Sequence, residues 1–260
     1  MTLAEDIAAL LSGAGIADAT GEAAALVAAG AEMARERAER RAAGEPLAHI
    51  VGTTQFLGVT LAVRPGVLAP RGETELIGRA ALERRPALAV DLCCGAGNLA
   101  CALAVHLPEA EVHATDLTAE ACALAADNAR ALGVDGRVTV HRGDVFGALP
   151  DSLRGRVDVI VCNPPYISSG RLAGDRADLL RFEPREAFDA GPFGLAIHQR
   201  VLQGAPAWLR PGGCLLMEMG VGQKRQIEAL AARVSGFAEV KFLSDAGGEP
   251  RAVAIRTEGP

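Results

Sequence analysis

Apolar residues recur along this chain with two different periods. Leu3, Ile7, Leu10 and Leu11 fall at helical spacing, and a second stripe runs from Leu26 to Met33. This opening stretch is rich in Ala, carries scattered charges and lacks Pro. It predicts two or three short helices that end at the Gly44-Glu45-Pro46 break. From Leu47 to Pro70 the runs shorten to HIVG, TQFLG and VTLAV, divided by Gly and Pro, which predicts a hairpin or two. From Ala87 onward, continuous apolar runs alternate with helical stripes. LAVDLCC, EVHATDL, RVTVHRGD, RVDVIVCN and GGCLLMEMG read as strands. Leu99–Leu107, Ala119–Leu132 and Arg225–Arg233 read as helices, and AEVKFLSD with RAVAIRT as a closing antiparallel pair. Strands apolar on both faces, alternating with helices, predict a doubly wound α/β sheet. The expected organisation is a helical unit over 1–45, a β-hairpin linker over 46–75 and an α/β domain over 76–260.

Composition narrows the picture. Half the residues are hydrophobic but only 3% are aromatic, so small interior side chains must pack helices closely on the sheet. Trp208, read as lying in a helix before Pro211-Gly212-Gly213, is a packing residue on this view. The formal net charge of -6 argues against a nucleic acid held through its phosphates. Cys93, Cys94, Cys101, Cys122, Cys162 and Cys214 form no CxxC pair and have no His at zinc-ligand spacing. They read as buried thiols in a reducing cytosol, with no metal site. His49, His106, His113, His141 and His198 are scattered and suggest neither a triad nor a metal centre. No apolar run approaches the ~18 residues of a membrane span, and no signal peptide is recognisable, so the expected location is cytoplasmic.

Candidate chemistry gathers at strand ends. Asp91-Leu92-Cys93-Cys94-Gly95-Ala96-Gly97 lies where the first strand of the α/β region turns into a helix. Gly95 and Gly97 allow a sharp turn and close backbone approach, and the helix start offers free N–H groups. Such a turn also fits a dinucleotide fingerprint. Asp116 ends the next strand, where a carboxylate can accept from both ribose hydroxyls. Asp144 and Val145, after the third, offer an acceptor for an adenine amino group and an apolar contact for its face. Together these predict a nucleoside-bearing cofactor without saying which.

Asn163-Pro164-Pro165-Tyr166 follows VDVIVC directly, at the carboxyl end where open α/β sheets place ligands. An amide nitrogen is a poor nucleophile because its lone pair is delocalised into the carbonyl. Acceptors holding its N–H hydrogens would orient it and localise that pair; the Asn163 side-chain oxygen and the Pro164 carbonyl are candidates. The two prolines fix the backbone in advance. Tyr166 can lie against the planar face. Glu183 and Glu186 read as solvated carboxylates, and neither as a general base.

These motifs, taken in order, resemble the HemK/PrmC family of glutamine N5-methyltransferases, which modify the GGQ motif of peptide-chain release factors. The resemblance runs from about Gly44 to Arg256 through GEPLAHIVGTTQFLG, LAVRPGVLAPRGETEL, DLCCGAGNLA, ATDL, NPPY, RFEPREA, GPFGL, RPGGCLLMEMGVGQ and DAGGEPRAV. It implies a class I, Rossmann-like methyltransferase fold and S-adenosyl-L-methionine as cofactor. Cys93, Cys94, Gly95, Ala96 and Gly97 would line its methionine part, Asp116 its ribose and Val145 its adenine. Asn163 would sit between cofactor and substrate, and Asn163 to Tyr166 would bind the amide to be methylated. Glu183 and Pro184 would shape that pocket's wall. The chain departs from the family at Gly72, where a Pro is usual, at Cys93 and Cys94, and in a shorter helical front end. These departures bear on recognition and leave a small-molecule or peptide N-methyltransferase on the same scaffold as the alternative.

Overall fold

The computed structural model describes residues 2–259. Its elements, in chain order, begin with helices α1 (Leu3–Gly13), α2 (Ala19–Ala28), α3 (Ala34–Ala42) and α4 (Leu47–Val51) and strands β1 (Thr53–Phe56) and β2 (Val59–Ala62). There follow α5 (Glu75–Arg84), β3 (Leu88–Leu92), α6 (Asn98–His106), β4 (Glu111–Asp116), α7 (Ala119–Ala131), β5 (Val138–Arg142) and β6 (Val157–Cys162). The chain closes with α8 (Ser169–Ala173), α9 (Ala196–Gly204), β7 (Leu209–Glu218), α10 (Lys224–Ala231), β8 (Phe237–Ser244) and β9 (Pro250–Thr257).

Seven strands form one sheet in the order β5-β4-β3-β6-β7-β9-β8. The pairs β3–β4, β4–β5, β3–β6 and β6–β7 are parallel, while β9 runs antiparallel to both β7 and β8. The chain therefore leaves β3 toward one edge and, from β6, proceeds toward the other. The crevice outside the carboxyl ends of β3 and β6 is a topological switch point, the place where such sheets bind ligands.

Alternation along the strands divides the core in two. Ala89, Val112, Ala114, Val159, Val161 and Leu216 face one way, against α5, α6 and the β1–β2 hairpin. Val90, Leu92, Ile160, Cys162, Leu215 and Met217 face the other, against Val201 and Leu202 of α9, Trp208 and Ile227 of α10. The central strands β3, β6 and β7 are covered on both faces, which is why they read as largely apolar runs, while the edge strands β5 and β8 are more exposed. A separate cluster of Ile7, Leu11, Ala23, Leu26, Ala34, Ala38 and Ile50 joins α1 to α4.

Three sequence expectations need correction. HIVG is not a strand: His49 to Val51 belong to α4, which starts after Pro46 and stops at Gly52 with φ 82°. A helix delivers Ile50 to the cluster formed by α1 to α3, and that tertiary burial overrides the β preference of Ile and Val. Trp208 closes a 3-10 turn over Ala205–Ala207, and Pro211 to Gly213 lie inside β7 instead of ahead of it. Trp208 does pack: its ring stacks on Phe146 at 5.7 Å, with the Arg154 guanidinium 4.3 Å away. Among the cysteines, Cys94, Cys101, Cys162 and Cys214 are buried and Cys93 and Cys122 are half-buried; all six are free thiols.

Asn128 ties the hairpin to the α/β region at Ala62, as His106 and Glu75 do at Leu57. Asn128 of α7 accepts from the Ala62 N–H at 2.8 Å and donates to the Ala62 carbonyl at 3.1 Å, so it imitates a paired strand. The same amide donates to Ala96 at 2.9 Å, tying the hairpin to the turn after β3. Asn128→Ala strands these backbone groups and is expected to destabilise the protein by about 2–4 kcal/mol. The check is a lower denaturant midpoint at unchanged slope.

Candidate active site

The turn after β3 is built from unusual backbone angles. Cys93 adopts φ 58°, a left-handed conformation rare outside Gly, and Gly95 and Gly97 follow at 52° and 75°. The glycines have different reasons. A side chain at Gly95 would point into open space, so Gly95 presents bare backbone to the crevice. A Cβ at Gly97 would sit 2.9 Å from the Ala125 Cβ, so Gly97 allows α7 to pack against the start of α6. Ala96 is fully buried. Of the residues read as cofactor ligands, Ala96 and Gly97 thus shape the turn from inside.

Two carboxylates anchor this turn. Asp116 at the end of β4 accepts from the Gly95 N–H at 3.0 Å, and its other oxygen accepts from the N–H and hydroxyl of Thr118 at 3.0 and 3.1 Å. Asp91 lies at 1% exposure and accepts from the Ala100 N–H at 3.0 Å, at the start of α6. Its Oδ1 has no partner among the described residues. Burial pushes the Asp91 carboxyl up to about 8 against the Ala100 hydrogen bond, and the charge of Asp116 adds to the rise.

A cavity of about 300 Å³ opens in front of the turn, bordered by Cys93, Gly95, Asp116, Val145, Asn163 and Ile197. Val145 has φ 51° and is held by the Thr115 hydroxyl, which donates to its carbonyl at 3.1 Å. Asp144 also borders the cavity but is half exposed and paired with Arg200 at 2.8 Å. A void of about 30 Å³ extends inward past Asp91, Cys94 and Thr74. Another, of about 40 Å³, lies on the far side between Arg71, Pro164, Tyr166 and Phe188. Asn163 and Leu68 border all three spaces.

The Asn163 side chain is fixed by groups distant in sequence. Its Nδ2 donates to the Thr74 hydroxyl at 2.9 Å, and Thr74 donates to Glu218 Oε2 at 2.7 Å. The Tyr166 hydroxyl donates to Glu218 Oε1 at 3.4 Å. Burial raises the Glu218 carboxyl above its ordinary value, and burial followed by the nearby Glu218 pushes the Tyr166 phenol up to about 12. Gln223 closes the arrangement: its Nε2 donates to the carbonyls of Tyr166 and Gly194 at 3.0 and 3.1 Å, and its Oε1 accepts from Gly220 at 2.8 Å.

Comparison with known proteins identifies the family. Residues 74–178 match the "Methyltransferase small domain" family. The release factor glutamine methyltransferase of Moorella thermoacetica is 41% identical over 226 residues, 85% of this chain and 78% of that protein. Its namesake from Geobacter sulfurreducens is 40% identical over 219 residues, 84% and 75% of the two chains. This chain belongs to the release factor glutamine methyltransferase family. It is a methyltransferase, and the class I methyltransferase fold expected from the resemblance is found in solved structures. One is the T. thermophilus 16S rRNA N2 G1207 methyltransferase in complex with AdoMet and guanosine, with a TM-score of 0.57 at 21% identity, covering 79% of this chain and 49% of that one.

Within this family member, Asn163, Pro165, Cys93, Gly95, Asp116, Asp144 and Val145 meet at one cavity, with Pro164 and Tyr166 at the adjoining void. Glu183 is elsewhere. It is buried, not solvated, and accepts from the Ala69 N–H at 3.0 Å and from the Arg71 guanidinium. It borders a cleft of about 570 Å³ between α2–α4, the hairpin and residues 178–183, and braces the loop carrying Leu68 and Arg71. Pro184 does border the cavity. Thr74, Glu218, Leu68 and Gln223 were not singled out from sequence. Glu218 carried a usable signal, as the one carboxylate in an otherwise apolar strand end.

Proposed function

We propose that this chain transfers the methyl group of S-adenosyl-L-methionine to the side-chain N5 of glutamine in the GGQ segment of a peptide-chain release factor. The observation that carries this reading is Asn163, which stands where the three spaces meet with its Nδ2 engaged and its Oδ1 free.

The residues suit this cofactor. The cavity volume lies at the lower end of the ~300–1,000 Å³ of ligand sites, and Asp116 borders it with a carboxylate already oriented by three donors. The unpartnered Asp91 Oδ1, in the inner void, suits an ammonium group. When bound, the cofactor supplies a methyl group already activated on a sulfonium. The chain's task is then orientation. Asn163 Oδ1 and the Pro164 carbonyl, neither engaged by a protein donor among the described residues, accept the two N–H hydrogens of the substrate amide. The nitrogen lone pair is thereby turned toward the methyl group. The methylated nitrogen is cationic and sheds its proton to water, so no general base is required. Catalysis rests on proximity and orientation.

The cleft beside Glu183 gives a polypeptide acceptor a surface continuous with the site, because Arg71 borders both. No helix among the described residues is long and apolar enough to cross a membrane, and on this reading the protein works in the cytoplasm on a translation factor. Labelled S-adenosylmethionine offered with an unmodified release factor tests it, against the same factor with that glutamine changed to alanine. Label on the first alone is expected. Label on both, or on neither, overturns the assignment.

Asp91 adds a pH signature. Its folded value of about 8 exceeds the ~4 of an unfolded Asp. Its contribution to stability is thus full below about pH 4 and lost as pH rises through about 8. The cofactor-free protein is expected to lose stability from pH 5 to pH 8 more steeply than Asp91→Asn does, measured by denaturant unfolding. Parallel slopes would contradict the assignment.

A further inference from the structure

We propose that Thr74 and Glu218 set the direction of the Asn163 amide, and that this direction makes the site competent for an amide acceptor. The proposal rests on the reading of the acceptor as an amide nitrogen.

An Asn side chain has two nearly isosteric ends. One accepts hydrogen bonds and the other donates them, so a rotation by half a turn changes the chemistry while leaving the shape unchanged. A substrate amide approaching with its N–H groups needs the oxygen. If Asn163 presented its NH₂ instead, donor would face donor. Packing alone does not distinguish the two orientations, and something with a fixed hydrogen-bond sense must.

Glu218 has that sense. As a carboxylate it only accepts. It sits at the last position of β7 at 2% exposure, and Thr74 beside it is 1% exposed, so water does not substitute for either. Thr74 has a single hydroxyl proton, which goes to Glu218 Oε2 at 2.7 Å. The Thr74 oxygen is left as an acceptor. Its other partner, Asn163 at 2.9 Å, must therefore offer the Nδ2 end, and Oδ1 is turned to the substrate side. Polarity thus runs one way along three residues, from Asn163 through Thr74 to Glu218. Tyr166 holds the second carboxylate oxygen at 3.4 Å, so the same anion also orients the ring that borders the acceptor void. Burial opposes the charged form of Glu218; the Thr74 hydroxyl, then Arg251, and last the Tyr166 hydroxyl favour it, and Glu73 opposes it.

The relay spans 144 positions of sequence between Thr74 and Glu218 and 89 between Thr74 and Asn163. Three separate segments, the turn before α5 and the carboxyl ends of β6 and β7, must assemble to impose one orientation. Thr74 and Glu218 are positioning residues: neither needs to touch the reacting atoms.

Thr74→Val keeps the shape and removes the hydroxyl, while Thr74→Ser keeps the hydroxyl. Each variant is compared with the unmodified protein in three measurements: kcat and KM for an unmodified release factor, S-adenosylmethionine affinity, and water exchange of the Asn163 side-chain NH₂ by nitrogen-15 NMR. With Val, kcat is expected to fall by about 10²-fold, the scale of losing one preorganised polar contact. KM and cofactor Kd should stay within about threefold, and exchange of the Asn163 NH₂ should accelerate. Ser should recover most of the lost kcat and the slow exchange. Two outcomes overturn the relay: undiminished kcat in the Val variant, or Ser failing as badly as Val while both bind cofactor normally. Slow Asn163 exchange that depends on the Thr74 hydroxyl, in a protein that leaves the release factor unmethylated, upholds the relay and overturns the assigned acceptor.

Discussion

Asn163→Ala is expected to lower the rate of methyl transfer by at least ~10²-fold while changing cofactor affinity by no more than a few-fold. The side chain contributes one acceptor at the meeting point of cofactor cavity and acceptor void, and its other end is tied to Thr74. Truncation removes that acceptor and leaves the turn after β3, Asp116 and Val145 in place. Single-turnover transfer measured beside equilibrium cofactor binding separates the two effects. A matching loss of affinity would mean that Asn163 mainly builds the cofactor site, and an unchanged rate would remove the basis of the mechanism.

Asp116→Ala is expected to do the reverse, weakening S-adenosylmethionine binding by about 10- to 100-fold, as befits a lost hydrogen bond to a charged group. Two losses combine. The ribose hydroxyls lose their acceptor, and the Gly95 N–H, at 3.0 Å from the carboxylate, loses the partner that fixes the turn. Asp116→Asn keeps the shape and one acceptor, so its effect should be intermediate. Calorimetric titration gives the affinities, and rate at saturating cofactor should recover in the Asn variant. Equal affinity in the Ala variant and the unmodified chain would place the nucleoside away from Asp116.

The alternation of apolar strands and helices was legible because both faces of the central strands are covered. Val90 and Leu92 serve one core while Ala89 serves the other, so apolar residues dominate the strand and Asp91 is its one polar position. The strand-end motifs were legible for a related reason: a turn such as Cys93–Gly97, or two prolines after β6, has few purposes at the carboxyl edge of such a sheet. What escaped was what long-range contact decides. Leu47–Val51 has β-type residues, yet Pro46 and Gly52 bracket a helix and Ile50 completes a helical cluster. Glu183 looked solvated because nothing nearby in sequence pairs with it; Arg71, 112 positions away, does. Thr74 was visible only as part of a loop motif, and its meaning depends on Glu218 and Asn163 arriving from two other strands. Local pattern reveals which residues face a crevice, whereas the sense of a hydrogen-bond chain needs the folded partners.

The most direct measurement is a peptide map of the methylated product. An unmodified release factor is incubated with the protein and labelled S-adenosylmethionine, digested, and fragmented by tandem mass spectrometry to place the methyl group. The label should lie on the side-chain nitrogen of the GGQ glutamine and disappear with Asn163→Ala. A methyl group on any other residue, or one that persists in that variant, would contradict an amide methyltransferase organised around Asn163.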